Sequence, residues 1–350
     1  MSFEDIDFSN RVIKLPSGFS LIWPFRNIPK SNGPYELFID NNALVIHKWF
    51  KELDNSVKVK SVLSPFHALN EQWLSNPSFR NNAVERIQKF LTPFIDEGVV
   101  FDNNYAINVA KLLKANEKES KSHWMITYLY VILLYRIVSS KSNDSLPQQL
   151  LSTLKDIDVP RFNGCTMLCT LAAYLKENKG IKLIGDSKTA FSYVANFVDL
   201  HSSNKNESKV DENYLRNRAG DLSMWLHIPI LTQHRYQTVG DAVVVTQDNV
   251  LKNFIFRCFP AVLTGNGTMA FSFDEKSFDP IHSNDIVKKI LTNIEIKKKY
   301  HPTERTEQYA KLRRLKSHVT EGANEDLIIE VNKVWDEWIT PGFFENYSIQ

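Results

Sequence analysis

Acidic residues stand at the ends of short apolar segments. Asp40 closes ELFID (Glu36–Asp40), Asp102 closes VVFD (Val99–Asp102), Asp186 closes IKLIGD (Ile181–Asp186), and Asp248 follows AVVVTQ (Ala242–Gln247). Carboxylates gathered by folding repel one another unless a divalent cation neutralises them. Magnesium and manganese take oxygen ligands of this kind. A held ion polarises a phosphate, generates hydroxide from water and stabilises a leaving oxygen. Each acid alone also has a plainer reading, because Asp is a common helix N-cap and both Asp40 and Asp248 precede helix-like stretches. The chemical reading therefore rests on the set.

For the acids to meet, the apolar segments must be strands of one open sheet, where ligands bind beyond the carboxyl ends. AVVVT is a continuous β-branched run, the pattern of a parallel strand buried on both faces. If that strand persists, Thr246 and Asp248 fall on the same side. Helical spacing appears in Ala43–Leu53, Pro65–Leu74, Ala83–Leu91, Ala106–Ala115, His123–Ser139, Thr166–Glu177, Lys188–Phe197 and Tyr214–Leu226. Ser64 and Pro65 give one of these a good cap and first-turn pair. Strands alternating with helices imply a layered α/β fold. Ser139–Pro147 and Ser202–Asp211 are polar and predict a linker and an exposed loop, and after Phe273 the pattern is helical and charged. Asp241 precedes the last strand, at the wrong end for a strand-end site, and reads as a turn residue.

The segment LFIDNNAL (Leu37–Leu44) resembles the first strand and acid of PIN-domain nucleases. VLSPFHALNEQWL (Val62–Leu74) is similar to that family's second strand and the helix bearing a Glu, which places Glu71. RAGDLSMWLHIP (Arg218–Pro229) resembles the helix bearing the third acid, at Asp221. VVVTQDNVLKNF (Val243–Phe254) resembles the closing strand with Thr-x-Asp, at Thr246 and Asp248. The resemblance implies a PIN-like α/β parallel-sheet core in two parts, 1–75 and 206–274. A mostly helical insertion, 76–205, separates them, and a helical extension, 275–350, follows. It implies Mg2+ or Mn2+ held by Asp40, Glu71, Asp221 and Asp248, with Thr246 orienting a carboxylate or water. The implied reaction is hydrolysis of nucleic acid, RNA before DNA. The length between Glu71 and Asp221 leaves Asp102 and Asp186 as rivals for a place in the site. A non-catalytic PIN-like subunit, binding nucleic acid or protein through its insertion or C-terminal helices, is the alternative.

The residues agree in part with that assignment. Phe66, Leu69 and Trp73 make an apolar stripe with Glu71 off its centre, while Leu215, Ala219, Leu222 and Leu226 make another bordered by Asp221. Gly220 would let a backbone approach there. A solvated helix-face acid is the alternative at both. His67 and Glu71 are four apart on one helix, a spacing that could place an imidazole near a metal, although such a His is more often structural. Arg216 and Arg218 could hold a phosphate, or pair with acids such as Glu212. Lys297–Lys299 with Tyr300 and His301, then Lys311, Arg313, Arg314 and Lys316, could grip a nucleic-acid backbone or form the polar face of charged helices. Trp335 and Trp338 fit a helix anchored to a core.

Composition narrows the classes. Hydrophobic residues make up 43% and charged residues 23%, which excludes disorder of the whole chain. A net charge of +2 supplies no overall drive toward a polyanion, so any such site must be local. Cys165, Cys169 and Cys258 fit reduced thiols of a cytoplasmic protein rather than a disulfide framework or zinc site. The apolar Trp124–Val138 stretch is too short to cross a bilayer and predicts a buried helix. No P-loop or dinucleotide glycine loop is present, and Gly265, Asn266 and Gly267 read as a turn.

Overall fold

The apolar runs ELFI and AVVV become adjacent central strands of one sheet. The computed structural model describes residues 6–141, 145–156, 162–199, 212–264, 267–294, 305–340 and 342. The strands are β1 (Val12–Lys14), β2 (Ser20–Ile22), β3 (Tyr35–Ile39), β4 (Ser61–Ser64) and β5 (Asp241–Thr246), in spatial order β1-β2-β5-β3-β4. β3 runs parallel to both β4 and β5, with Ile39 opposite Val245 and Tyr35 opposite Asp241. β2 and β1 continue the sheet antiparallel from β5. The fold is therefore mixed α/β with a sheet of mixed direction. Every residue of β3 is buried, as are Ala242–Thr246 of β5. Two-sided burial explains why neither strand alternates polar with apolar. A hairpin of β6 (Ala261–Leu263) and β7 (Met269–Phe271) is separate from this sheet.

Two compact units compose the chain: Met1–Glu117 with Ser223–Ser272, and Lys118–Leu222 with Phe273–Gln350. The first unit extends past residue 75 because the helix Ala83–Ile95 packs back onto it. Phe94 meets the rings of Trp49 and Phe50 at 5.9 and 5.6 Å. The second unit joins the middle of the chain to its C-terminal helices. Trp338 of helix Glu325–Trp338 lies against Trp124 and Tyr128 of helix Glu117–Ser139. Buried Arg136 donates from Nη1 to the carbonyls of Val319 and His318, at the end of helix Arg305–Thr320. A cation there complements the negative helix terminus. Among the described residues no helix is long and apolar enough to cross a membrane.

Several sequence expectations need correction. Val99–Asp102 is not a strand but an irregular link between helices Ala83–Ile95 and Tyr105–Ala115, with Val100 90% exposed. Ile181–Asp186 is not a strand either; Lys182 makes one isolated bridge to Thr189, Ile184 N donates to the distant Ser277 O, and Asp186 N closes a turn onto Leu183 O. A short apolar run needs an open sheet edge to pair with, which periodicity cannot reveal. Asp241 is not a turn residue: it begins β5, opposite Tyr35. Ala43–Leu53 divides into helices Asn41–Val45 and Lys48–Lys51, and Tyr214–Leu226 extends to Glu212–Gln233. Ser202–Asp211, Gly265, Asn266, Lys297–Lys299, Tyr300, His301 and part of Ser139–Pro147 lie outside the described residues.

Candidate functional site

β3 and β5 are parallel neighbours, so their carboxyl ends emerge side by side. Asp40 directly follows β3, and its backbone N–H donates to Val245 O of β5 at 3.1 Å. Thr246 closes β5, is fully buried, and donates its hydroxyl to Asp40 Oδ2 at 2.6 Å. The Asp248 N–H donates to Thr246 Oγ1 at 2.9 Å. Thr246 thus joins the Asp40 carboxylate to the Asp248 backbone by one short side chain. Each acid also starts a helix. Asp40 Oδ1 accepts from Ala43 N at 2.7 Å, and Asp248 Oδ1 accepts from Val250 N and Leu251 N at 2.6 and 2.8 Å. The helix after Asp248 contains a π-turn, Leu251–Ile255, a form common where backbone serves a site.

Burial dominates the electrostatics. Asp40 is 4% exposed, and its pKa is pushed up from 3.8 to about 6. Desolvation is the main cause and the Asp248 charge adds to it, while hydrogen bonds from Thr246, Ala43 and Gln247 oppose it. A buried carboxyl poised near neutrality beside a second acid is a functional-site signal. Lys252, which sequence patterning did not single out, is 8% exposed and feels the Asp248 charge. Its ammonium is pushed down by burial and by Lys14, and pulled back up by Asp248. Its Nζ donates to Asn249 Oδ1 at 2.8 Å. The signal available in sequence was a lysine four residues after the acid, on the same helical turn.

Glu71 is buried on helix Phe66–Ser75, which is pinned beside the Asp40 helix by Gln72 Nε2 donating to Asn41 Oδ1 at 2.7 Å. His67, one turn before Glu71, lies with its ring centroid 4.8 Å from that of His227, which also meets Phe38 of β3 at 5.9 Å. His227 therefore has partners that its sequence neighbourhood did not reveal. Its pKa is held well below the ordinary value by desolvation and then by His67.

Asp221 belongs to the other unit, where its Oδ2 accepts from Arg218 Nη1 at 2.8 Å. Arg218 also lies over the Tyr214 ring at 4.8 Å, and Arg216 pairs with Glu337 at 2.7 Å. Asp186, in that unit too, caps its own turn by accepting from Lys188 N and from the Tyr193 hydroxyl. Asp102 is exposed in the link after Val99. Of the later basic residues, Lys311 pairs with Glu307, while Arg313 and Lys316 cover Tyr309 and Trp335. The three cysteines are buried and form no disulfide among the described residues.

Among the described residues no group of three or more His, Cys, Asp or Glu is placed to hold a metal. The acids brought together are Asp40 and Asp248, through Thr246. No protein family, curated protein or solved structure matches the chain.

Proposed function

We propose that this chain is a magnesium- or manganese-dependent hydrolase of phosphodiester bonds in nucleic acid, RNA in preference to DNA, with a PIN-like core. The observation that carries the reading is the Asp40–Thr246–Asp248 chain of hydrogen bonds across adjacent parallel strand ends, with Asp40 titrating near neutrality.

The donor chemistry fits such an ion. Magnesium is commonly held by one or two carboxylates, keeping waters and substrate phosphates for its other positions. Asp40 and Asp248 supply hard oxygen donors, and their mutual repulsion falls when a cation is shared. When bound, the ion supplies Lewis acidity toward a phosphate oxygen and lowers the pKa of water. The protein's part is positioning. Thr246 fixes the Asp40 carboxylate by donating to Oδ2. Backbone amides of Val250 and Leu251 hold Asp248 through Oδ1. Lys252 places a cation near Asp248, where it favours an approaching phosphate. Glu71 is a secondary candidate, brought near the Asn41 helix by Gln72. Asp221 has its Oδ2 held by Arg218.

The test is cleavage of labelled RNA and DNA oligonucleotides with Mg2+, Mn2+ or chelator. Activity should require metal, and Asp40→Asn or Asp248→Asn should abolish it with the fold retained by circular dichroism. Full activity in either variant rejects a metal-holding role for the acid pair. A second reading is favoured by the caps: both acids already start helices, so a PIN-like fold could bind nucleic acid or protein without cleavage. Binding with neither metal affinity nor turnover would select it.

A further inference from the structure

A cavity of about 950 Å3 opens at the opposite ends of the same strands, in the first unit. Its volume lies within the range of about 300–1,000 Å3 typical of small-molecule sites. Trp23, Phe25 and Leu263 give it apolar walls, and Arg235, Tyr236 and Asp241 contribute polar groups. The walls are fixed by pairing. Asn27 and Leu263 exchange two hydrogen bonds, at 2.8 and 3.2 Å, and Arg26 N donates to Ala261 O at 2.7 Å.

Asp241 is held yet retains capacity. Asp241 Oδ2 accepts from Trp23 Nε1 at 3.0 Å and from Ser31 N at 2.8 Å. Among the described residues its Oδ1 accepts nothing, so one carboxylate oxygen is left for a donor. Tyr236 is 43% exposed, but its hydroxyl is tied to Glu36 Oε1 at 2.6 Å. That bond presents an aromatic face in a fixed orientation. Arg235 is exposed, has φ 61°, and its guanidinium has no hydrogen-bond or ion-pair partner among the described residues. That conformation closes helix Glu212–Gln233, with Tyr236 N donating to Leu231 O at 2.9 Å, and it sets Arg235 beside Tyr236 at the cavity wall.

We propose that this cavity binds a mononucleotide whose base carries an exocyclic amine. The base would stack on Tyr236, as bases do on exposed aromatic rings. Its amine would donate to Asp241 Oδ1, and its phosphate would pair with Arg235. The site lies at the amino ends of β3 and β5, away from Asp40 and Asp248, so it stands whether or not the acid pair acts. The Asp241 carboxylate also sets specificity: it accepts from the amino groups of adenine, cytosine and guanine but repels the carbonyl oxygens of uracil.

The test is calorimetric titration of the full chain with AMP, CMP, GMP and UMP in chelator, which keeps the acid pair out of the measurement. The amino-bearing nucleotides should bind about tenfold or more tightly than UMP, the size of one hydrogen bond to a charged group. Asp241→Asn keeps an acceptor for Trp23 and Ser31 and turns a donor toward the cavity, so preference should shift to UMP. Arg235→Ala should weaken the monophosphates about tenfold and leave the nucleosides unchanged. No saturable binding of any of the four, or the same order of preference in Asp241→Asn, overturns the proposal. Binding of phenylalanine in place of nucleotides also overturns it and gives the cavity to amino acids.

Discussion

Asp40 carries its charge at a cost. Its folded pKa of about 6 lies above the model-peptide value of 3.8, so between those values the folded chain holds the proton that the unfolded chain has lost. Stability from this group is full below about pH 4 and is lost as pH rises through 6. Asp40→Asn should therefore stabilise the metal-free protein at pH 7, by on the order of 3 kcal/mol for two pKa units, because Asn can keep the cap to Ala43. The gain should vanish near pH 4, read by urea denaturation across pH. His227 acts in the opposite direction. Its depressed pKa makes stability fall as pH drops below about 6.5, in variant and parent alike. Added Mg2+ should raise the melting temperature of the parent and not of Asp40→Asn, and that response should weaken below pH 6 as protons compete. A parent indifferent to the cation at every pH would count against the proposed site. Asp40, Thr246 and Asp248 were legible because an acid at the end of an apolar strand is a local pattern. Asp241 was misread because Trp23 and Ser31, which define its role, lie far away along the chain.

The elements place these side chains through a few intolerant backbone positions. Gly240, just before β5, has φ +82°, and a Cβ there would come 2.0 Å from Pro34 O, the carbonyl that accepts from Asp241 N. Two conditions that only glycine meets coincide there. Gly240→Ala should cost about 3 kcal/mol or more, seen as a lower urea midpoint, because the strand must move off Pro34 to admit the methyl group. An unchanged midpoint would mean that the turn relaxes freely. The same element shows where sequence reasoning succeeds and stops. AVVVT is long and β-branched enough to announce a buried strand. VVFD and IKLIGD carry similar residues but meet no sheet edge, and β1 and β2, at three residues each, are too short to show alternation.

At the scale of the molecule, each unit is stitched from segments distant in the chain. The C-terminal helices look like an appendage in sequence, yet Trp338 is 2% exposed against Trp124 and Tyr128 of the central segment. Nothing local marks that partnership, since apolar stripes on helices state that a face is buried and not against what. Trp338→Ala should remove a large buried side chain that the helix cannot replace, at roughly 3–5 kcal/mol, read as a lowered unfolding transition. The acid pair lies wholly in the other unit, so the rise in melting temperature on adding Mg2+ should persist in this variant. If the variant lost that response while still folded, the acid pair would depend on packing in the helical unit, and the strand ends alone would not make the site.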